Sequence, residues 1–253
     1  MDTPQNTSVS ANWIVGRNAV SEALRAGRTI DHILVARGER SGSLPVLLAK
    51  AREQGIPVKE VDSRKLDSLC GPHHQGIAAA AACQEYATLD ELLLRAEERG
   101  EPPFLVVCDE LEDPHNLGAI IRTAEAAGAH GVIIPKRRSA GLTGIVYKTS
   151  AGAVSHLPVA RVSNIAETLR DLKKRGVWVY GLDMDGQDWQ STDLRGAVAL
   201  VVGSEGRGLG RLCRELCDGI VSLPMYGHIN SLNASVACGI MLYEAARQRH
   251  LPR

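Results

Sequence analysis

Aromatic side chains are scarce in this chain of 253 residues: Phe, Trp and Tyr make up 4% of it, with a single Phe. The apolar content is mostly Ala, Val, Leu and Ile, which favours tight helix-on-sheet packing and argues against a binding surface built by aromatic stacking. Net charge is missing too. Lys plus Arg number 29 and Asp plus Glu number 29, so the chain wears no general basic coat, and any nucleic acid must be held by local patches and shape. The six cysteines contain no CxxC pair. Cys213 and Cys217 are four apart, with no histidine beside them at zinc-finger spacing, so no metal site is expected. No apolar run approaches the ~20 residues that span a bilayer, and no leader peptide is read at the start. These absences lead us to expect a cytoplasmic protein with reduced thiols and no membrane contact. A dinucleotide fingerprint is absent as well: from Gly206 and Gly208 the third glycine of G-x-G-x-x-G would fall at Arg211, which argues against a nicotinamide-dependent dehydrogenase.

What the chain does have is alternation. Residues 1–11 are polar and aperiodic and read as a tail. From 12 to 83, short apolar runs alternate with amphipathic segments: a helix over 17–26, a strand over 32–36, a helix over 44–54, strands over 58–61 and 77–83. This reads as a small α/β domain. Thr88-Leu89-Asp90-Glu91 is a capping box that opens a helix closing at Gly100, and Glu101-Pro102-Pro103 stiffens the connection, so 84–103 reads as a linker with a short helix. A second series of buried strands and helices fills 104–253. Near-continuous apolar strands such as Phe104–Cys108 and Val198–Val202 imply a mostly parallel sheet covered on both faces.

Three stretches carry chemistry. In the first, Asp113 to Ala124, Leu117, Ile120, Ile121 and Ala124 form a buried helical stripe. Arg122 lies off it, and Gly118 sits in a helix interior at a cost of about 1 kcal/mol relative to Ala, as though room were needed. A plainer reading has Asn116 cap the helix and Arg122 pair with Glu125. The second, Gly203-Ser204-Glu205-Gly206-Arg207-Gly208, is a loop able to bring backbone against a flat ligand. The third ends Asn230-Ser231-Leu232-Asn233-Ala234-Ser235 and opens a helix whose stretch from Val236 to Tyr243 has no charged residue. That helix is expected to be buried almost all round, partly against a second subunit. In an open α/β sheet, ligands sit at the carboxyl ends of strands, where the last two loops lie.

Asn116-x-Gly118-x-x-x-Arg122, Gly203-Ser204-Glu205-Gly206 and Asn230-Ser231-Leu232-Asn233-Ala234-Ser235, in this order, resemble the three motifs of the SpoU (TrmH) family of RNA ribose methyltransferases, within the SPOUT superfamily. The leading domain, with Val15-Gly16-Arg17-Asn18-Ala19-Val20 and His74-Gln75-Gly76-Ile77-Ala78, resembles the substrate-binding domain of the RlmB-like branch, which methylates a guanosine ribose of 23S ribosomal RNA.

The resemblance implies an α/β fold with a small amino-terminal RNA-binding domain and a carboxyl-terminal SPOUT domain that carries a deep trefoil knot. It implies S-adenosylmethionine as cofactor, bound near Gly203, Leu223, Met225 and Leu232. It also implies a homodimer packed through the knotted domain and its final helix, and RNA, most specifically 23S ribosomal RNA, as partner. Arg122, Asn116, Glu205, Ser231 and Asn233 are the catalytic candidates it gives. Arg122 is sometimes assigned as general base, but a guanidinium holds its proton at pKa above about 12. Gripping a phosphate and stabilising the forming alkoxide suits it better. Candidate RNA contacts are Arg17, Arg25 and Arg28 in the small domain, and Lys136, Arg137, Arg138 and Arg207. The first 82 residues hold ten basic and eight acidic side chains, so the small domain is the mildly basic one. Transfer RNA, a resistance-type ribosomal target, or a non-catalytic role in ribosome assembly are the alternatives.

Overall fold

The computed structural model describes residues 13–204 and 206–250. The chain divides into two compact units, one running to Glu85 and including Gly141–Ile145, the other holding the rest.

The first unit is a four-stranded sheet between helices. Strands β1 (Trp13–Val15), β2 (Ile30–Ala36), β3 (Val58–Val61) and β4 (Ile77–Ala81) lie in the order β1-β4-β2-β3, and only β2 and β3 run parallel. Helices α1 (Arg17–Arg25) and α2 (Leu44–Glu53) put Val20, Leu24, Leu44 and Leu47 on one face with Ile33 and Ile77. Helix α3 (Ser63–Cys70) puts Leu66 on the other, against Leu34 and Ala78. Strand β4 reads Ile-Ala-Ala-Ala-Ala and is buried throughout. Alanine has little intrinsic preference for a strand, but in a sheet covered on both faces a small side chain lets the helices close in.

The second unit is a six-stranded, all-parallel sheet in the order β10-β8-β9-β5-β6-β7. Its strands are β5 (Phe104–Cys108), β6 (Gly131–Pro135), β7 (Val159–Val162), β8 (Trp178–Asp188), β9 (Val198–Val202) and β10 (Gly219–Ser222). The helices are α4 (Leu89–Glu98), α5 (Pro114–Ala126), α6 (Gly144–Thr149), α7 (Ile165–Lys174), α8 (Arg211–Leu216) and α9 (Ala234–His250). The capping box at Thr88 forms in full, with Thr88 N donating to Glu91 Oε2 and Glu91 N to Thr88 Oγ1. Strands β5, β6 and β9 are buried at every position, as a parallel sheet with helices on both faces requires.

Helix α9 departs from expectation. It packs on α5 and β9 through Cys238, Met241, Leu242 and Ala245. Its other side leaves Val236, Ile240 and Tyr243 at 50%, 36% and 56% exposure. These three recur at helical spacing, so within one chain the helix is buried on one face and presents an apolar stripe on the other.

Candidate functional site

The middle of β8 and the carboxyl ends of β9 and β10 surround a cavity of about 970 Å³. An irregularity in the sheet opens it. Strand β10 pairs with Tyr180 and Gly181 of β8, then jumps to Gln187 and Asp188. The skipped residues bulge outward, and Leu182, Asp183 and Met184 become one wall.

The loop after β9 makes the next wall. Ser204 and Gly208 exchange backbone hydrogen bonds of 3.0 and 2.9 Å, closing a tight turn in which Gly206 and Gly208 take left-handed φ values of 79° and 64°. Gly203 must be glycine for a different reason: a Cβ there would lie 2.2 Å from the Gly208 carbonyl group and 2.4 Å from Leu209 N. Two carboxylates fasten this loop from other strands. Buried Asp109, just past β5, accepts from Gly210 N at 2.9 Å. Asp183 accepts from Arg214 of α8 at 2.6 Å, and the same guanidinium reaches Asp185 at 2.9 Å. Sequence reasoning missed both anchors; their one signal is an acidic residue directly after a buried strand.

The third wall is the stretch from Leu223 to Asn233. Leu223, Met225, Ser231, Leu232 and Asn233 all line the cavity, with Val202, Val221 and Met241 at its apolar floor. Asn233 Oδ1 accepts from Ser235 N at 2.9 Å and Val236 N at 3.3 Å, the capping role that opens α9. Of the expected site residues, Gly203, Leu223, Met225, Leu232, Ser231, Asn233 and Arg207 therefore share one cavity. Glu205 lies outside the described residues.

Asn116 and Arg122 sit on α5, outside the cavity wall. The helix begins earlier than its apolar stripe suggests. Pro114 occupies its first turn and Asp113, not Asn116, caps it by accepting from His115 N at 3.0 Å. Asn116 is buried. The room at Gly118 is filled by the chain itself: a Cβ there would stand 1.9 Å from Thr149 Oγ1 and 2.7 Å from Thr149 Cβ. Gly118 thus lets the end of α6 dock on α5, rather than admitting a ligand. Arg122 is exposed and makes no ion pair with Glu125; among the described residues it has no hydrogen-bond or salt-bridge partner.

The other candidate cations differ sharply. Arg17 is held by its own unit: Nε donates to Gln75 O at 3.0 Å, one terminal nitrogen to Ser41 O at 2.8 Å, and the other lies 3.3 Å from Glu39. Arg25 pairs with Glu22 on the surface. Arg138 donates to Glu110 at 2.7 Å, which raises its pKa, and Arg207 approaches the same carboxylate at 3.8 Å. Lys136 and Arg137 have no side-chain partner among the described residues. Burial pushes the thiols of Cys108, Cys213 and Cys217 up to about 12, which disfavours the nucleophilic thiolate at each.

Residues 103–243 match the SpoU rRNA methylase family, and residues 13–87 match the family described as RNA 2′-O ribose methyltransferase substrate binding. The chain belongs to the SpoU rRNA methylase family. It is an RNA methyltransferase. The Bacillus subtilis protein YacO, assigned to the TrmH family of tRNA/rRNA methyltransferases, is 48% identical over 94% of this chain and 96% of its own length. A Staphylococcus haemolyticus protein assigned to the same family is 47% identical over equal shares. Among solved structures, the SpoU methyltransferase AviRb of Streptomyces viridochromogenes, crystallised with AdoMet, aligns with a TM-score of 0.61 at 28% identity, covering 97% of this chain and 94% of AviRb. An AdoMet-bound rRNA methyltransferase of Sinorhizobium meliloti aligns at 0.60 and 27% identity, covering 96% and 89%. Among the described residues no helix is long and apolar enough to cross a membrane.

Proposed function

We propose that this enzyme moves a methyl group from S-adenosylmethionine to a ribose 2′-oxygen of ribosomal RNA, with a guanosine of 23S ribosomal RNA as the specific target. The observation that carries the reading is the pairing of a cavity walled by glycine-rich and apolar segments with an arginine on the neighbouring helix α5 that makes no hydrogen bond or ion pair among the described residues. The cavity fits the cofactor. Its volume of about 970 Å³ is within the range of ligand sites. Gly203, Leu223, Met225 and Leu232 offer backbone to a purine edge, and Val202, Val221 and Met241 offer apolar surface to its face. When bound, S-adenosylmethionine supplies a methyl group already activated on a sulfonium.

The protein's task is then to orient the ribose and to ease loss of its 2′-proton. Arg122 grips the RNA phosphate beside the ribose and stabilises the developing alkoxide; that phosphate or a water takes the proton. Asn116, buried one and a half turns earlier, orients the ribose or Arg122 itself. Ser231 and Asn233 on the cavity rim supply hydrogen bonds near the reacting oxygen, and Glu205 orders the loop that carries it. Lys136, Arg137, Arg138 and Arg207 guide the RNA backbone. Two copies join through the apolar stripe of Val236, Ile240 and Tyr243, a face that water disfavours. The enzyme works in the cytoplasm.

Ribosomal rather than transfer RNA is favoured by what the leading unit is shared with. The Sinorhizobium meliloti rRNA methyltransferase covers 96% of this chain, whereas the A. aeolicus TrmH/SpoU tRNA modifying enzyme covers 64%. The deciding experiment incubates the protein with methyl-labelled S-adenosylmethionine and separate ribosomal and transfer RNA pools, then maps the 2′-O-methyl position. Label in ribosomal RNA at a guanosine is expected. Label confined to transfer RNA overturns the target, and cofactor binding without label in either pool points to a non-catalytic assembly protein.

A further inference from the structure

One end of the first unit's sheet is built as a rigid frame. Arg17 staples the turn after β2 to the loop before β4 through Gln75, Ser41 and Glu39. Gln75, a non-glycine residue at φ 51°, is held in that strained form with its side chain accepting from Arg17 N at 3.1 Å. Buried His74 closes the loop, accepting from Gly76 N at 2.9 Å and meeting Asp67 at 3.1 Å. Arg37 N donates to Val61 O at 2.8 Å, tying the end of β3 into the same frame.

The charges on this frame are sorted. Three carboxylates at this end are engaged, while Glu60 of β3 is exposed: Glu39 accepts from Ser41 N and Oγ and meets Arg17, Asp62 accepts from Arg64 N, and Asp67 meets His74. Arg37, Arg40 and Lys65 are exposed, and their side chains make no hydrogen bond or ion pair among the described residues; Arg37 interacts with Asp62 only through its longer-range charge. The opposite end of the sheet is occupied by the unit's own segment Gly141–Ile145, where Cys83 N donates to Leu142 O at 2.7 Å. We infer that Arg37, Arg40 and Lys65 form a phosphate-gripping surface for the RNA backbone. This rests on the RNA methyltransferase reading above. Backbone rather than base recognition follows from composition: Trp13 is the only Trp, Tyr or Phe before Tyr86, and its ring is packed edge-on against His32 at 5.7 Å. A surface without stacking platforms reads phosphate and shape. Arg17 is a positioning residue here, because its donors are spent on the frame.

The test uses the full-length protein and transcribed 23S ribosomal RNA. An Arg37→Gln/Arg40→Gln/Lys65→Gln variant is compared with Arg28→Gln at the opposite end of the sheet. All four positions are exposed, and unchanged thermal melts establish that both variants fold. Each lost phosphate contact lowers the slope of log affinity against log salt by roughly 0.7–0.9. The triple variant should therefore lose about two units of slope. It should bind RNA at least tenfold more weakly at 0.1 M salt, with KM for RNA raised, kcat at saturating RNA within twofold of wild type, and cofactor affinity unchanged. Arg28→Gln should match wild type. An unaltered slope in the triple variant, or an equal loss in Arg28→Gln, overturns the surface. If the wild-type protein labels no RNA at all, the methyltransferase reading fails instead, and the salt slope still decides the surface.

Discussion

Gly118 offers the sharpest test of how α5 is placed. Replacing an interior helical glycine by alanine ordinarily stabilises by about 1 kcal/mol, because alanine restricts the unfolded chain and suits the helix. Here the added methyl would stand 1.9 Å from Thr149 Oγ1, 2.7 Å from Thr149 Cβ and 3.1 Å from Ser150 N. Rotating the Thr149 side chain relieves the first contact; the second can be relieved only by moving the end of α6 off α5. Overpacking of this kind costs about 1–3 kcal/mol. Set against the helix-propensity gain of about 1 kcal/mol, Gly118→Ala should destabilise the second unit by up to about 2 kcal/mol. For a unit of this size, that lowers the midpoint by up to about 8 °C in a thermal melt. In a Thr149→Ala background the 1.9 Å contact is gone, so the same substitution should cost at least about 0.5 kcal/mol less. A midpoint that rises in Gly118→Ala, or an equal loss in both backgrounds, would refute the account of why position 118 is glycine.

The remaining predictions concern the site and the core. Arg122→Ala should lower methyl transfer by about 10²–10³-fold while leaving the melt and cofactor titration near wild type, as expected for lost transition-state stabilisation; equal activity would remove Arg122 from the chemistry. Gly203→Ala forces the loop open against the Gly208 backbone, so calorimetry should show cofactor affinity reduced tenfold or more, about 1.4 kcal/mol. Ile240→Asp should shift sedimentation from a dimer to a single chain. Fully buried His130 accepts from Phe104 N at 3.0 Å, and its other ring nitrogen meets Glu101 at 3.1 Å. Burial holds its pKa below the usual 6.5, with Glu101 opposing. The unfolded chain therefore takes up the proton first, and stability should fall as pH drops below about 6.5. Melts between pH 8 and 5 should show that decline and His130→Asn should flatten it.

How far the residues alone revealed this arrangement depended on whether a signal was local. The Thr88 capping box and the buried strands β5 and β9 were legible because each is decided within a few neighbouring residues. Likewise the two loops after β9 and β10 could be picked out as cavity walls from their small and polar residues following apolar strands. Long-range partners were not legible. Nothing near Gly118 announces Thr149, and nothing near Arg17 announces the Ser41 and Gln75 carbonyl groups that hold it. The tail of β8 is polar and reads as loop, yet it pairs with β10 beyond a bulge that only the sheet register discloses. In α9 the uncharged stretch marks an apolar helix, but apolar content does not say which face the chain covers by itself.

The strand order also governs how the second unit comes into being. Strand β5 is flanked by β6, made soon after it, and by β9, whose first residue Val198 pairs with Phe104. Until Val198–Val202 has been synthesised, the wholly apolar strand Phe-Leu-Val-Val-Cys keeps one edge of amide and carbonyl groups unsatisfied. A chain stalled or cut between β8 and β9 would offer that edge to another copy, and such edges nucleate aggregation. Late closure by distant segments also makes the unit a slow folder, with its cavity formed only at the end of assembly.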